Sequence, residues 1–428
     1  MANLVVCLDG TWNNADSAAP QTNIAVLSSL IDLRRSGRLP QQLYYDAGVG
    51  TAGGLIERLT AGFTGKGLSA NVLGAYRFLS LNYKPGDNIY LFGYSRGAFT
   101  ARSLCGFVAA SGLLRADHCD KANLQFAWAY YRTKPKERFP ADYAKLRDMS
   151  YANVRVRFLG VFDTVGSLGI PRKWLNWLGR TSFQFHDTEL CSIVDHSCHA
   201  LAIDEHRLEF EAAVWDVPRR GGYLTVEQVW FPGVHANIGG GYQDRGLSDL
   251  ALDWMLKRLR RYCPELGLRQ VRLAPNHRGV LYEPRTWIYW RSIRRPLVRI
   301  INRCVVRKPA GRIRLPHVRP HSQSIGEMLH WSALLRHLET RKLPARKRYA
   351  PINLLAALES AKQGHTQVVG PDGEPAAYFR AGPLRPADAP TSLEAAGPLR
   401  PADAPTSRLE AAGPLRPADA PTSWREYH

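Results

Sequence analysis

The 428-residue chain has no Cys-x-x-Cys pair; its seven cysteines stand at 7, 105, 119, 191, 198, 263 and 304. An odd number at irregular spacing excludes a disulfide scaffold or a zinc ribbon and fits a reduced compartment. A chain of this length buries enough core to need neither. It also lacks a membrane-spanning run: the longest near-apolar stretch, Leu104 to Leu114, falls well short of the ~20 residues required. The start, Met1-Ala2-Asn3-Leu4, has no basic n-region, and the apolar run behind it stops at Asp9. No secretory signal is read, so cytoplasmic synthesis is expected, and any export would need a signal-independent machine.

Acidic residues are scarce toward the carboxyl-terminal side. The whole chain sets 57 Lys and Arg against 37 Asp and Glu, a net charge of +20. From Arg285 to Arg348 there are 17 basic residues and only two acids, Glu327 and Glu339, so this segment carries +15 of that total. Such an excess calls for an anionic partner: a membrane surface, a nucleic acid or an acidic substrate.

With 45% hydrophobic and 22% charged residues the composition is that of a globular protein. Short apolar runs at Leu4–Leu8, Leu43–Tyr45, Asn88–Phe92, Val154–Phe162 and Val226–Phe231 each end in a breaker, as buried parallel strands do. Helical patterns lie between or after them, at Asn23–Leu33, Leu68–Leu81, Ala98–Ala110, Asn123–Tyr131 and Asp249–Leu259, the last with Ser248 as its expected cap. Alternation of this kind predicts an α/β fold, a mainly parallel sheet with helices on both faces.

Three regions follow from composition. Residues 1–284 are expected to form the catalytic domain with lid-like insertions, and 285–380 a basic, aromatic-rich extension. Residues 381–428 repeat Gly-Pro-Leu-Arg-Pro-Ala-Asp-Ala-Pro-Thr-Ser at 382–392, 397–407 and 413–423, a composition that predicts a disordered tail.

The strongest chemical signal is Gly93-Tyr94-Ser95-Arg96-Gly97, placed between a strand pattern and a helix pattern. This is the setting of a nucleophile elbow: a sharp turn exposes the serine, and glycines at 93 and 97 leave room where strand and helix nearly touch. A serine nucleophile needs a base, and the base an orienting carboxylate. Asp163 follows the Val156–Phe162 strand, and His235 follows the Val226–Phe231 strand into a glycine-rich loop. Both keep the order Ser, Asp, His expected of such a fold. His186, His196, His199 and His206 lack that setting. For the oxyanion, the Arg96 backbone N–H and a second donor from Gly10 or Thr11, after the first strand, are expected, with Asp9 bracing that loop.

Other motifs are rejected. Gly48-Val-Gly50-Thr-Ala-Gly53 matches a dinucleotide fingerprint, but no Asp or Glu lies between Glu57 and Asp87 to meet a ribose. Gly65-Lys66 is followed by glycine rather than Ser or Thr, which excludes a phosphate loop. Cys191, Asp195, Cys198 and His199 share a face if helical, but no second pair stands at metal spacing. No cofactor and no metal are expected.

The sequence resembles a family of α/β hydrolases whose best-known members are type VI secretion phospholipase effectors. The resemblance rests on Asp9-Gly10-Thr11-Trp12-Asn13, Gly48-Val-Gly50-Thr51, Gly93 to Arg102, Phe162-Asp163-Thr164-Val165-Gly166, Ala202-Ile-Asp204-Glu205-His206-Arg207 and His235 to Tyr242. It implies an α/β-hydrolase fold over about residues 3 to 260. It also implies a Ser-Asp-His hydrolase at Ser95, Asp163 and His235, acting on phospholipid.

Two segments are candidates for an interface with lipid: Arg172-Lys-Trp174-Leu-Asn-Trp177-Leu178, where a lid would sit, and the basic segment Arg285–Arg348 with its Trp and Tyr residues. The expected partners are therefore a lipid or ester substrate and an anionic membrane. The alternatives are a non-lipid serine esterase, or a basic protein binding anions or nucleic acid on a hydrolase scaffold. No nucleic-acid module is recognisable, so nucleic acid is not expected.

Overall fold

The computed structural model describes residues 1–10, 20–33, 39–48, 65–165, 190–216, 223–283, 296–304, 324–344 and 347–376. Thr11, Gly50, Thr51, Gly166, His186, the Arg172–Leu178 segment, the Trp287 region and the repeat tail lie outside the described residues.

Among the described residues one large sheet is built from β1 (Asn3–Leu8), β2 (Gln41–Asp46), β3 (Asn88–Tyr94), β6 (Val156–Phe162), β7 (Val194–Ala202), β8 (Thr225–Phe231), β9 (Glu327–His330), β10 (Gln367–Val369) and β11 (Pro375–Ala376). Across the sheet they run in the order β11-β10-β9-β8-β7-β6-β3-β1-β2. All neighbouring pairs are parallel except β10 with β11. A separate two-stranded ribbon joins β4 (Leu113–Leu114) to β5 (Ser150–Tyr151).

Strands β1 and β3 read as nearly unbroken apolar runs because both of their faces are covered. Along β1, Leu4, Val6 and Leu8 enter one core with residues of α2 (Gly65–Asn82), α3 (Arg96–Ser111) and α4 (Lys121–Arg132). Val5 and Cys7 enter the other, with α1 (Asn23–Leu30) and α7 (Gly246–Tyr262). The expected α/β architecture with helices on both faces is thus present. Helix α7 begins at Gly246 with Arg245 as its cap, so Ser248 is an internal residue, its hydroxyl donating to the Arg245 carbonyl. The remaining helices are α5 (Pro140–Met149), the short α6 (His235–Gly239), α8 (Trp331–Thr340) and α9 (Ile352–Lys362).

The strand order fixes where a site can form. The chain leaves β1 toward the edge strand β2, then returns past β1 to β3 and builds the rest of the sheet on the other side. Helix α1 lies on one face and α3 on the opposite face. The carboxyl ends of β1 and β3 therefore flank the crevice that doubly wound sheets use for ligands.

The change of composition near residue 285 does not end the sheet. Strand β9 pairs with β8 and β10 with β9, and α8 and α9 pack with Trp230 and Leu201 in a third core. Part of the arginine-rich stretch is buried: Leu297, Val298, Arg299 and Ile301 are all inside. Arg303 is exposed, as are Arg341, Lys342, Lys347 and Arg348 further on.

Candidate active site

Ser95 is the single residue between β3 and α3, and its backbone has φ 57 and ψ −115. Side chains rarely adopt this region, and holding one there costs of order 1–3 kcal/mol. The turn is held by a close approach only glycine permits. A β-carbon on Gly93 would stand 2.5 Å from the Gly97 carbonyl oxygen, and one on Gly97 1.9 Å from that of Leu8. Helix α3 is thereby pressed against the ends of β3 and β1, with Ser95 at its N-terminus.

His235 opens α6, four residues past the end of β8, and Asp163 directly follows β6 at φ 41. The Ser95 hydroxyl lies 2.8 Å from His235 Nε2, and His235 Nδ1 lies 2.6 Å from Asp163 Oδ2. All three side chains are buried, at 4%, 1% and 0% exposure. With Asp163 ionised, Nδ1–H donates to the carboxylate and Nε2 is left to accept from Ser95. The imidazole packs against the Tyr94 ring and the edge of Phe210, each 4.8 Å away between centroids.

Burial lowers the His235 pKa below its ordinary value; the Asp163 hydrogen bond and charge oppose this. Burial would raise Asp163, but the Arg299 charge and the His235 hydrogen bond outweigh it and hold the carboxyl well below the usual range. Arg299 reaches Asp163 with both terminal nitrogens, Nη1 to Oδ1 at 2.6 Å and Nη2 to Oδ2 at 3.1 Å. The Ala202 N–H adds a donor to Oδ1 at 2.9 Å. Sequence reasoning missed Arg299. The available signal was an arginine inside an aliphatic run, Leu297-Val-Arg299-Ile-Ile301.

A second buried ion pair adjoins the histidine. Glu205 Oε2 accepts the His235 backbone N–H at 3.2 Å, and Arg207 holds the same carboxylate in a bidentate grip at 2.9 and 2.8 Å. Arg207 outweighs the burial that would raise Glu205, whose pKa falls to about 2. Next to it Asp204 accepts the Gly233 N–H and the Tyr349 hydroxyl, tying the loop before His235 to β7.

The loop after β1 behaves differently from expectation at one point. Gly10 does lie beside Ser95: a β-carbon on it would stand only 3.5 Å from Ser95 Cβ. Its N–H, however, donates to Asp9 Oδ1 at 2.7 Å and is engaged there rather than open to a ligand. Asp9 also accepts the Thr22 and Tyr45 hydroxyls, at 2.5 and 2.9 Å, and so does brace the loop. Arg96 is the first residue of α3, which puts its backbone N–H at the helix N-terminus beside Ser95.

The cluster Cys191, Asp195, Cys198 and His199 is not helical: the last three lie on β7, where alternate residues face opposite sides. His199 Nε2 accepts the Thr164 N–H at 3.1 Å and Nδ1 faces Gln228 Oε1 at 3.4 Å, which makes it a neutral brace for the loop after Asp163. Burial pushes its pKa down to about 3. Among the described residues no group of three or more His, Cys, Asp and Glu is arranged to hold a metal ion.

A parallel sheet covered by helices on both faces, with this site at its carboxyl edge, is an α/β-hydrolase-like architecture. Residues 2–258 match the family described as T6SS, Phospholipase effector Tle1-like, catalytic domain, and the chain belongs to that family. An uncharacterized protein of Saccharomyces cerevisiae, YEL023C, is 31% identical over 233 residues, covering 49% of this chain and 32% of that protein. The chain thus spans about a third of the length of that curated relative. Among solved structures, an uncharacterized protein from Pseudomonas aeruginosa is 19% identical, with a TM-score of 0.36 over 63% of this chain and 46% of that one. A Tle1 effector bound to the VgrG spike of the type VI secretion system is 21% identical, with a TM-score of 0.33 over 57% and 52%.

Proposed function

We propose that this chain is a serine hydrolase that cleaves the carboxylic esters of phospholipids. The observation that carries the reading is the hydrogen-bonded series Ser95–His235–Asp163, assembled from three strand ends with the serine on a strained turn. Membership of a phospholipase effector family supplies the substrate class.

In this reading His235 Nε2 takes the Ser95 proton as Oγ attacks the acyl carbonyl carbon, and Asp163 stabilises the imidazolium. The Arg96 N–H at the start of α3 receives the oxyanion. His235 then protonates the departing alkoxide, which leaves as a lysophospholipid. Water, deprotonated by His235, attacks the acyl-enzyme and releases the fatty acid with Ser95 restored. Exposed basic residues of the later segment attract anionic headgroups, about 1 kcal/mol for each one near the surface. Delivery by type VI secretion machinery belongs to the same proposal.

The experiment is hydrolysis of anionic phospholipid vesicles and of a short soluble ester by the wild type and Ser95→Ala side by side. Serine-dependent turnover that favours the vesicles is expected. Turnover of the soluble ester alone would replace the lipid with a simpler ester, and turnover of neither would remove the hydrolase reading.

A further inference from the structure

Arg299 lies 136 positions beyond Asp163 and outside the family-matched residues, yet it is 2% exposed and aimed at the carboxylate. Besides both Asp163 oxygens, Nη1 donates to the Ala202 carbonyl at 2.9 Å and Nη2 to the Phe210 carbonyl at 2.5 Å. One guanidinium therefore ties together the acid of the series, the end of β7 and the turn whose Phe210 ring packs in a T-shape with His235.

The strap that delivers it is anchored on both sides. The Leu297 N–H donates to the His206 carbonyl, and the His206 ring returns a bond to the Leu297 carbonyl, at 3.0 and 2.8 Å. Past Arg299, the Asn302 N–H donates to Glu327 Oε2 at 2.9 Å, and its side-chain amide to the His365 carbonyl and Thr366 hydroxyl. Glu327 Oε2 also accepts the Trp230 ring N–H at 2.7 Å. A plain structural arginine would need no such aim. A fully buried carboxylate, by contrast, needs compensation, and the flat fork of a guanidinium also fixes its plane.

We propose that Arg299 is a positioning residue of the hydrolytic site, holding Asp163 ionised and in plane with His235 while limiting how readily the imidazole takes a proton. The inference rests on the reading of Ser95, His235 and Asp163 as the reacting series. The charged groups facing it are few. Asp163 meets Arg299, His235 and His199, with Tyr94 and Arg102 close by; His235 meets Asp163, Glu205 and Arg207. The Asp163 and Glu205 carboxylates stand against Arg299 and Arg207, and Arg102 adds a further cation beside His199. Without the Arg299 charge, an imidazolium beside Asp163 becomes easier to form.

The test uses the intact chain, Arg299→Gln and Arg299→Lys, with Ser95→Ala as the blank. A fluorophosphonate probe reports the site without any choice of lipid: Ser95 Oγ bonds to phosphorus, fluoride leaves and His235 takes the proton. The glutamine variant is expected to react about 10²-fold more slowly, as slight misplacement of a reacting group costs. Its acid limb is expected to move up by roughly one pH unit as the cation is lost. The lysine variant keeps the charge and loses the fork, so its limb stays in place while its rate falls by about tenfold.

Equal losses in both folded variants with no movement of the limb would mark Arg299 as merely structural, and unchanged rates would also overturn the proposal. If the glutamine variant does not fold, proton NMR of the lysine variant decides. The His235–Asp163 proton resonance is expected to move, and an unmoved resonance overturns the inference. A wild type that fails to label through Ser95 would instead remove the hydrolase reading beneath it.

Discussion

A β-carbon on Gly97 would stand 1.9 Å from the carbonyl oxygen of Leu8, so the turn carrying Ser95 and the end of β1 meet backbone to backbone. No rotamer change relieves that contact. Gly97→Ala is expected to cost about 3 kcal/mol or more, read as a lowered thermal midpoint. Gly241→Ala, where nothing lies within 4 Å but φ is 108, should cost only about 1–2 kcal/mol of backbone strain. Equal losses at the two positions would show that close packing at the elbow is not the reason for its glycine.

Asp163→Asn removes the acceptor charge and offers an amide N–H to a nitrogen that already carries a proton. His235 then turns to its other tautomer and presents a proton to Ser95 in place of a lone pair. Hydrolysis is expected to fall by about 10⁴-fold with little change in KM, the cost of the wrong tautomer in serine hydrolases. Steady-state kinetics on any ester the wild type accepts checks this.

With His235 as the proposed base, active when neutral, the acid limb of kcat/KM is expected to follow its titration. Burial lowers its pKa, so activity is expected to persist below pH 6.5, its ordinary value. The linked stability runs the same way: the unfolded chain takes up the proton first, so this histidine makes the fold less stable as pH falls below 6.5. A limb lying above pH 6.5 would contradict the buried, neutral imidazole.

Asp9 has the opposite linkage. Burial raises its carboxyl from 3.8 to about 6 against the hydrogen bonds from Thr22, Tyr45 and Gly10. The folded chain therefore holds a proton that the unfolded chain has released. Stability contributed by the neutral acid is present below about pH 4 and is lost, by about 3 kcal/mol, as pH rises through about 6. Asp204, also raised to about 6, adds to the same slope. The difference between wild type and Asp9→Asn in denaturant unfolding across pH 4–7 isolates the Asp9 share. A difference that does not vary with pH would place its carboxyl back near 4.

What the sequence disclosed follows from how each part is stabilised. Strands β1 and β3 are held by burial on both faces, which leaves a plain apolar run, and β6 and β8 keep one over most of their length. Strand β7, Val194-Asp-His-Ser-Cys-His-Ala-Leu-Ala202, is central and buried but polar in sequence, so hydropathy hides it. Its histidines have particular partners, His196 the Thr225 hydroxyl and His199 Thr164 and Gln228. Ser95, Asp163 and His235 were legible because each sits at a strand end in a glycine-marked turn. Arg299 was not: a basic stretch reads as solvated surface, and nothing local announces a carboxylate 136 positions earlier.

The strap bearing Arg299 also sets an order of events during synthesis. Domains begin to fold from the N-terminal side as the chain emerges, and pairings distant in sequence form late. Ser95, Asp163 and His235 leave the ribosome well before Arg299, and before the Glu327 carboxylate that anchors the strap. A nascent chain of this protein can therefore have most of its sheet and Ser95 in place while Asp163 still lacks its guanidinium, so on the proposed reading of this site competence would arrive only with the last parallel strands.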